Sequence, residues 1–222
     1  VTEQTLPRTE ANDPLLLTAR EISELVAPAP WRRFAVMGDS VAEGLGDSSP
    51  GYTTAPWADR VAGALRAAHP ELEYLNTGRA TATIAQVRAG QLQRVLDFAP
   101  DLVHINCGGN DLFAPEQDLD AVEDALDRLF TDVRAGGARL STFTLADAYP
   151  DRLRQFRSRF AAFAEIVRRV AVRHDAIMAE LWEHPARLRQ DWLSADRIHL
   201  TMAGHAVVAT EMIRVLGRSA AA

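Results

Sequence analysis

Four short stretches of the 222-residue chain hold residue types that could carry out acyl transfer. An apolar run, "FAVMG" at 34–38, leads directly into Asp39 and Ser40. "NTGRAT" at 76–81 offers Asn76 and Gly78, and "CGGND" at 107–111 offers Gly108, Gly109, Asn110 and Asp111. Near the C-terminus, "SADRIHLTMAGH" places Asp196 and His199 three residues apart. Attack by a serine needs a hydroxyl, an imidazole to take its proton and a carboxylate to fix the imidazole. It also needs two or three donors aimed at the developing oxyanion. Ser40, His199 and Asp196 fit the first set. The backbone N–H groups of Ser40 and Gly78, with the Asn110 side-chain amide, fit the second. Each stretch also has a plain structural reading: Gly, Asp, Ser and Asn form turns, glycine permits φ > 0, and Asp196 with His199 could be a surface ion pair.

The remaining candidates are weaker. His69 and His184 each precede a proline and read as surface residues, while His174 reads as the start of a strand. His104 lies inside an apolar strand and reads as a core histidine, and His205 sits on the last helix beside Gly204. Cys107 is the single cysteine, has no basic neighbour in sequence and reads as a small buried hydrophobe. Position 42 is Ala, so there is no Gly-x-Ser-x-Gly elbow. Phosphate-loop, dinucleotide and zinc patterns are also missing. The chemistry implied needs no metal or cofactor.

Such residues must be positioned by a regular scaffold. Short buried strands are expected at 33–38, 72–76, 102–107, 139–145 and 176–181. Helical spacing marks Trp57–Ala68, Ile84–Phe98, Leu119–Arg134, Phe156–Arg173 and Met202–Leu216. In the fourth helix Phe156, Phe160, Phe163, Val167 and Val170 form an apolar stripe, which reads as core. Asp13 and Pro14 read as the N-cap and first position of a further short helix ending before "APAP" at 27–30. This predicts an N-terminal helical extension over residues 1–30 and one catalytic domain over 31–222. Alternating strands and helices predict a five-stranded parallel sheet covered on both faces, with the ligand outside the carboxyl ends of the strands. The four stretches fall at that rim. Loops at 41–56, 146–155 and 182–195, carrying Tyr149, Trp182 and Trp192, are the expected pocket walls.

The composition narrows the functional class. The net charge of −6 argues against nucleic acid as a partner. All 24 basic residues are arginine, from which no function follows. One cysteine allows no internal disulfide, and the polar, acidic start "VTEQTLPRTEANDP" is unlike a signal peptide. No run approaches a membrane span. A cytoplasmic protein acting on a small-molecule acyl ester is expected, and nothing in the sequence specifies an oligomeric state.

Together the four stretches resemble the blocks of the SGNH (GDSL-type) hydrolases: Gly38-Asp39-Ser40 for the nucleophile, Gly78 for the glycine, Gly109-Asn110-Asp111 for the asparagine, and Asp196 with His199 for the last. The resemblance spans residues 34–205. It implies a flavodoxin-like α/β/α sandwich and a serine esterase, lipase, thioesterase or deacetylase. The family's second block often reads Asn-x-Gly-x-x-Gly, and here Thr81 stands at the last glycine. An acyltransferase, a deacetylase acting on a sugar or small metabolite, and a non-catalytic flavodoxin-like binding module are the alternatives. The stretches "VAEGLGDSSPGYTTAP" and "ADAYPDRLRQ" are polar, so short acyl groups are expected over long ones.

Overall fold

A computed structural model describes residues 7–116, 118–149 and 151–221. Of the N-terminal stretch singled out above, residues 1–6 lie outside the described residues. Five strands form one sheet: β1 (Arg33–Gly38), β2 (Glu73–Asn76), β3 (Leu102–Asn106), β4 (Arg139–Phe143) and β5 (Ile177–Ala179). All pairs are parallel and the spatial order is β2-β1-β3-β4-β5. The helices are α1 (Ala19–Val26), the short α2 (Ser40–Glu43), α3 (Trp57–Ala68), α4 (Ile84–Asp97), α5 (Leu119–Arg134), α6 (Arg157–Arg173) and α7 (Met202–Ala220). The expected flavodoxin-like three-layer architecture is present.

The layers follow from the two-residue period of the strands. Phe34 and Val36 on β1, Leu102 on β3 and Phe143 on β4 pack with Trp57 and Val61 of α3 and with Val208 and Met212 of α7. Ala35, Met37, Val103 and Ile105 point the other way, toward Val87 of α4, Leu129 of α5 and Phe163 of α6. Both faces are dry, which is why the central strands read as continuous apolar runs. His104 is fully buried between Trp57 and Phe143, and burial pushes its imidazole down to about 3, so it is a neutral core residue.

Some boundaries differ from expectation. β4 ends at Phe143, although the Thr144 N–H still donates to the Ala179 carbonyl of β5 at 3.2 Å. Beyond it the Thr144 hydroxyl, not a strand carbonyl, accepts the N–H groups of Leu181 and Trp182, at 2.8 and 3.1 Å. The N-terminal helix does not start at Asp13. It starts at Ala19, where Thr18 and Glu21 form a reciprocal capping box. Asp13 instead accepts the Leu15 N–H, and its buried carboxylate meets Arg189 and the Tyr52 hydroxyl. His174 does not open a strand; it caps the end of α6 and bonds Asp127 at 2.9 Å. His69 and His184 are half-buried rather than surface residues. Among the described residues, no helix is long and apolar enough to cross a membrane.

Candidate active site

The strand order reverses between β1 and β3, since the chain goes outward to β2 from one side of β1 and continues to β4 and β5 from the other. A crevice opens at such a switch point, and the β1 and β3 ends deliver Ser40 and Asn110 to it. β1 ends at Gly38, where any Cβ would overlap the Asn106 carbonyl oxygen of β3. Only glycine lets the two strands stay paired up to the turn. Asp39 then caps α2, its carboxylate accepting the Val41 N–H at 3.0 Å, and Ser40 occupies the first helical position, half-buried.

A buried amide holds this turn from beneath. Gln91 of α4 is 5 % exposed. Its Nε2 donates to the Gly38 carbonyl at 2.8 Å, and its Oε1 accepts the Gly38 N–H at 2.9 Å and the Thr77 hydroxyl at 3.0 Å. It replaces the strand partner that Gly38 loses where β2 stops. Sequence reasoning missed it, although a signal was there: Gln91 interrupts the apolar stripe Ile84, Val87, Val95 on α4. On the opposite side His205 donates from Nε2 to the Leu45 carbonyl at 3.1 Å and accepts the Trp57 N–H on Nδ1 at 3.2 Å. That fixes the chain leaving α2.

Asn110 opens a short 3₁₀ turn after β3 and donates from Nδ2 to the Ala82 carbonyl at 3.1 Å, leaving the second amide hydrogen for the crevice it lines. Asp111 accepts the first N–H of α4, from Ile84, at 3.1 Å. A buried carboxyl, Asp39, and a half-buried one, Asp111, therefore sit near the nucleophile. Burial, with the Asp111 charge adding to it, pushes the Asp39 carboxyl up to about 7, and burial raises Asp111 as well. Burial also pushes the Cys107 thiol well up, which makes it an inert core residue.

Asp196 and His199 are joined. His199 Nδ1–H donates to Asp196 Oδ2 at 2.6 Å, while Asp196 Oδ1 accepts the N–H groups of Ile198 and His199 at 2.9 and 3.0 Å. Burial raises the Asp196 carboxyl, and the His199 ring with these N–H groups outweighs it, so the carboxyl stays below its usual range. Their loop is pinned by Ser194, which accepts the Asp47 N–H and donates to the Leu200 carbonyl, both at 2.8 Å. Arg197 and Ile198 line the same cavity as Ser40 and Asn110, and the His199 charge acts on Asp39. A direct Ser40–His199 hydrogen bond is not among those formed by the described residues. Such bonds often tighten only when substrate is bound.

Gly78 departs from expectation. Its N–H donates to Asn76 Oδ1 at 2.8 Å, so it is not a free oxyanion donor here. Asn76 Nδ2 donates in turn to the Ala42 carbonyl at 2.8 Å, and a Cβ on Gly78 would overlap the Glu43 backbone nitrogen. Gly78 is thus a close-packing contact behind α2. The strained point of the loop is Thr81, held at φ 64°. There the family pattern places glycine, which adopts that region without penalty.

The cavity over Ser40 measures about 120 Å³ and is mostly apolar, walled by Phe113, Phe143, Leu145, Phe160, Trp192 and Ile198. Tyr149 also lines it, whereas Trp182 stands behind Tyr149. Phe160, read from sequence as core, faces the cavity, and the wall is more apolar than the loop sequences imply. Among the described residues no group of three or more His, Cys, Asp or Glu could hold a metal ion.

A parallel sheet presenting a serine, an asparagine amide and an Asp–His pair at its switch point defines a serine-hydrolase type of scaffold. The model of the GDSL-like Lipase/Acylhydrolase family matches residues 36–207, and the chain belongs to that family of ester hydrolases. Among solved structures, it is similar to LAE5, an alpha/beta hydrolase enzyme from the metagenome of Lake Arreo, Spain. That match has 22 % identity over 84 % of this chain and 95 % of the other, with a TM-score of 0.69. It is also similar to Axe2, an acetylxylan esterase from Geobacillus stearothermophilus, at 22 % identity over 84 % and 94 %, with a TM-score of 0.65. No curated protein matches the sequence.

Proposed function

We propose that the enzyme cleaves short acyl esters through a covalent acyl-Ser40 intermediate. The observation that carries this reading is the 2.6 Å Asp196–His199 bond on the loop that walls the Ser40 cavity. Asp196 holds the imidazole with Nε2 free to take the Ser40 proton as Oγ attacks the acyl carbon. The Ser40 N–H and the Asn110 amide stabilise the oxyanion. Collapse breaks the bond to the alcohol, which leaves with the proton from His199. Water, deprotonated by the same ring, then releases the acid and restores Ser40. Catalytic variants of Axe2 replace a serine, an aspartate and a histidine, the last two three positions apart. The same spacing separates Asp196 from His199.

The size of the cavity supports short acyl groups. A dry cavity of roughly 150 Å³ holds a benzene ring, so about 120 Å³ suits a chain of a few carbons. Each CH₂ that fits gains about 0.8 kcal/mol, and each that protrudes gains little. A p-nitrophenyl ester series tests this: kcat/KM is expected to peak at acetate to butyrate, and Ser40→Ala to lose both turnover and labelling by a fluorophosphonate. A kcat/KM that climbs through dodecanoate contradicts the size argument, and full activity in Ser40→Ala contradicts the nucleophile.

A further inference from the structure

Beside the catalytic cavity lies an open chamber of about 650 Å³ that shares Ala148, Tyr149, Trp192, Leu193 and Arg197 with it. Its other lining residues are Arg187, Leu188, Arg189 and Gln190, and no carboxylate lines it among the described residues. Three arginines around one chamber is unexpected in a chain of net charge −6. Arginines elsewhere on this surface are commonly neutralised at short range, as Arg157 is by Asp147 and Arg60 by Glu10. In the chamber only Arg189 has such a partner, the buried Asp13. Arg187 and Arg197 form no ion pair with any described residue, and Arg187 Nε is buried with no hydrogen-bond acceptor. Two guanidinium charges that line an open chamber without an ion-pair partner among the described residues favour an anionic occupant.

Arg197 adds a second, independent sign. Its backbone is held at φ 62°, a left-handed conformation unfavourable for a long side chain. Strain of this kind, of order 1–3 kcal/mol, clusters where a side chain must be aimed at a ligand. The strained residue stands between Asp196 and His199 and contributes to both cavities. The inner cavity over Ser40 is mostly apolar, and among its lining residues Arg197, at the junction with the outer chamber, is the only arginine.

We infer that the outer chamber binds an anionic group, a carboxylate or phosphate, on the alcohol part of the substrate, while the acyl part enters the inner cavity. This rests on the proposed esterase reading. The polarity of the two chambers sets the orientation. Arg197 and Arg187 are specificity residues, and guanidinium forks suit planar anions.

The test compares 4-acetoxybenzoate with its neutral methyl ester, which carry the same acetyl group. Calorimetry on Ser40→Ala, which needs no turnover, should show saturable binding of the carboxylate that weakens with salt and falls about fivefold in the background of Arg197→Gly. Glycine suits the local backbone, so that variant should fold. In the active enzyme, Arg187→Ala and Arg197→Gly should each lower the anionic-to-neutral kcat/KM ratio, and together they should lower it further. No saturable binding of the carboxylate, or a ratio untouched by both substitutions, overturns the inference. Failure of the esterase reading would look different: Ser40→Ala would still hydrolyse the methyl ester.

Discussion

The nucleophile and its acid–base partner are supported in opposite ways. Ser40 follows a strand end enclosed by buried groups: Gln91 clamps Gly38, Asn76 ties down Ala42 and His205 holds Leu45. Asp196 and His199 sit on an outer loop, with Asp196 side chain 44 % exposed and His199 21 %. The loop is shaped by local hydrogen bonds, from Asp196 to its own neighbours and from Ser194 across its base. The nucleophile is thus part of the folded core, whereas the acid–base pair is attached to it. Substitutions should separate accordingly, with loop changes affecting the rate alone and nucleophile-support changes affecting folding too.

The largest effect is expected on the loop. Asp196→Asn removes the carboxylate that selects the His199 tautomer and should lower kcat by on the order of 10⁴-fold. The melting temperature should stay within a degree or two, because an exposed surface pair contributes little stability. A large loss of stability would erase the contrast between the two regions.

Gln91→Leu probes the other region. It leaves the buried Gly38 N–H without a partner, at about 1–3 kcal/mol. The Gly38 carbonyl keeps the Arg79 N–H and the Thr77 hydroxyl keeps the Val36 carbonyl, both at 3.1 Å. Denaturation in urea should show a loss of about 1–3 kcal/mol together with a lower kcat. Wild-type stability with normal kcat would show that the clamp is dispensable.

Asp39→Asn sharpens the comparison through pH. The folded carboxyl is pushed up to about 7 by burial and by Asp111, against roughly 3.9 in an unfolded chain. Between those values the folded state holds the proton and the unfolded state does not, so Asp39 makes stability fall as pH rises from about 4 to 7. The depressed carboxyls, among them Asp13, Asp127 and Glu180, act below that window and are already ionised within it. The buried imidazoles of His104 and His205, held neutral in the fold, make stability rise with pH up to about 6.5 in both proteins. The Asp39 contribution is therefore read from the difference in melting temperature, variant minus wild type, which should increase from pH 5 to 8. A difference that stays constant across that range would remove Asp39 as the titrating group.

Much of this was legible in the sequence because it depends on local pattern. Two-residue alternation and helical spacing mark the layers, and the Asp196–His199 spacing places both side chains on one short loop. The features that escaped depend on contacts distant in sequence. Asp13 and Pro14 look like a helix start, but burial against Arg189, 176 residues away, outweighs that local preference. Gly78 looks like a free donor until Asn76 folds back on it. Phe160 has the spacing of a core residue, and only its position beneath Leu145 and Phe113 makes it a cavity wall. Gln91 is meaningful only once β2 is known to end too early to pair with Gly38.

The central claim is that Ser40 is acylated during turnover. Intact-mass measurement of rapidly quenched enzyme with p-nitrophenyl acetate, followed by peptide mapping, tests it directly. A mass gain of one acetyl group on the peptide containing Ser40, formed and lost at the rate of turnover, is the expected result. Turnover with no acyl adduct on Ser40, or with the adduct on Cys107, would contradict it.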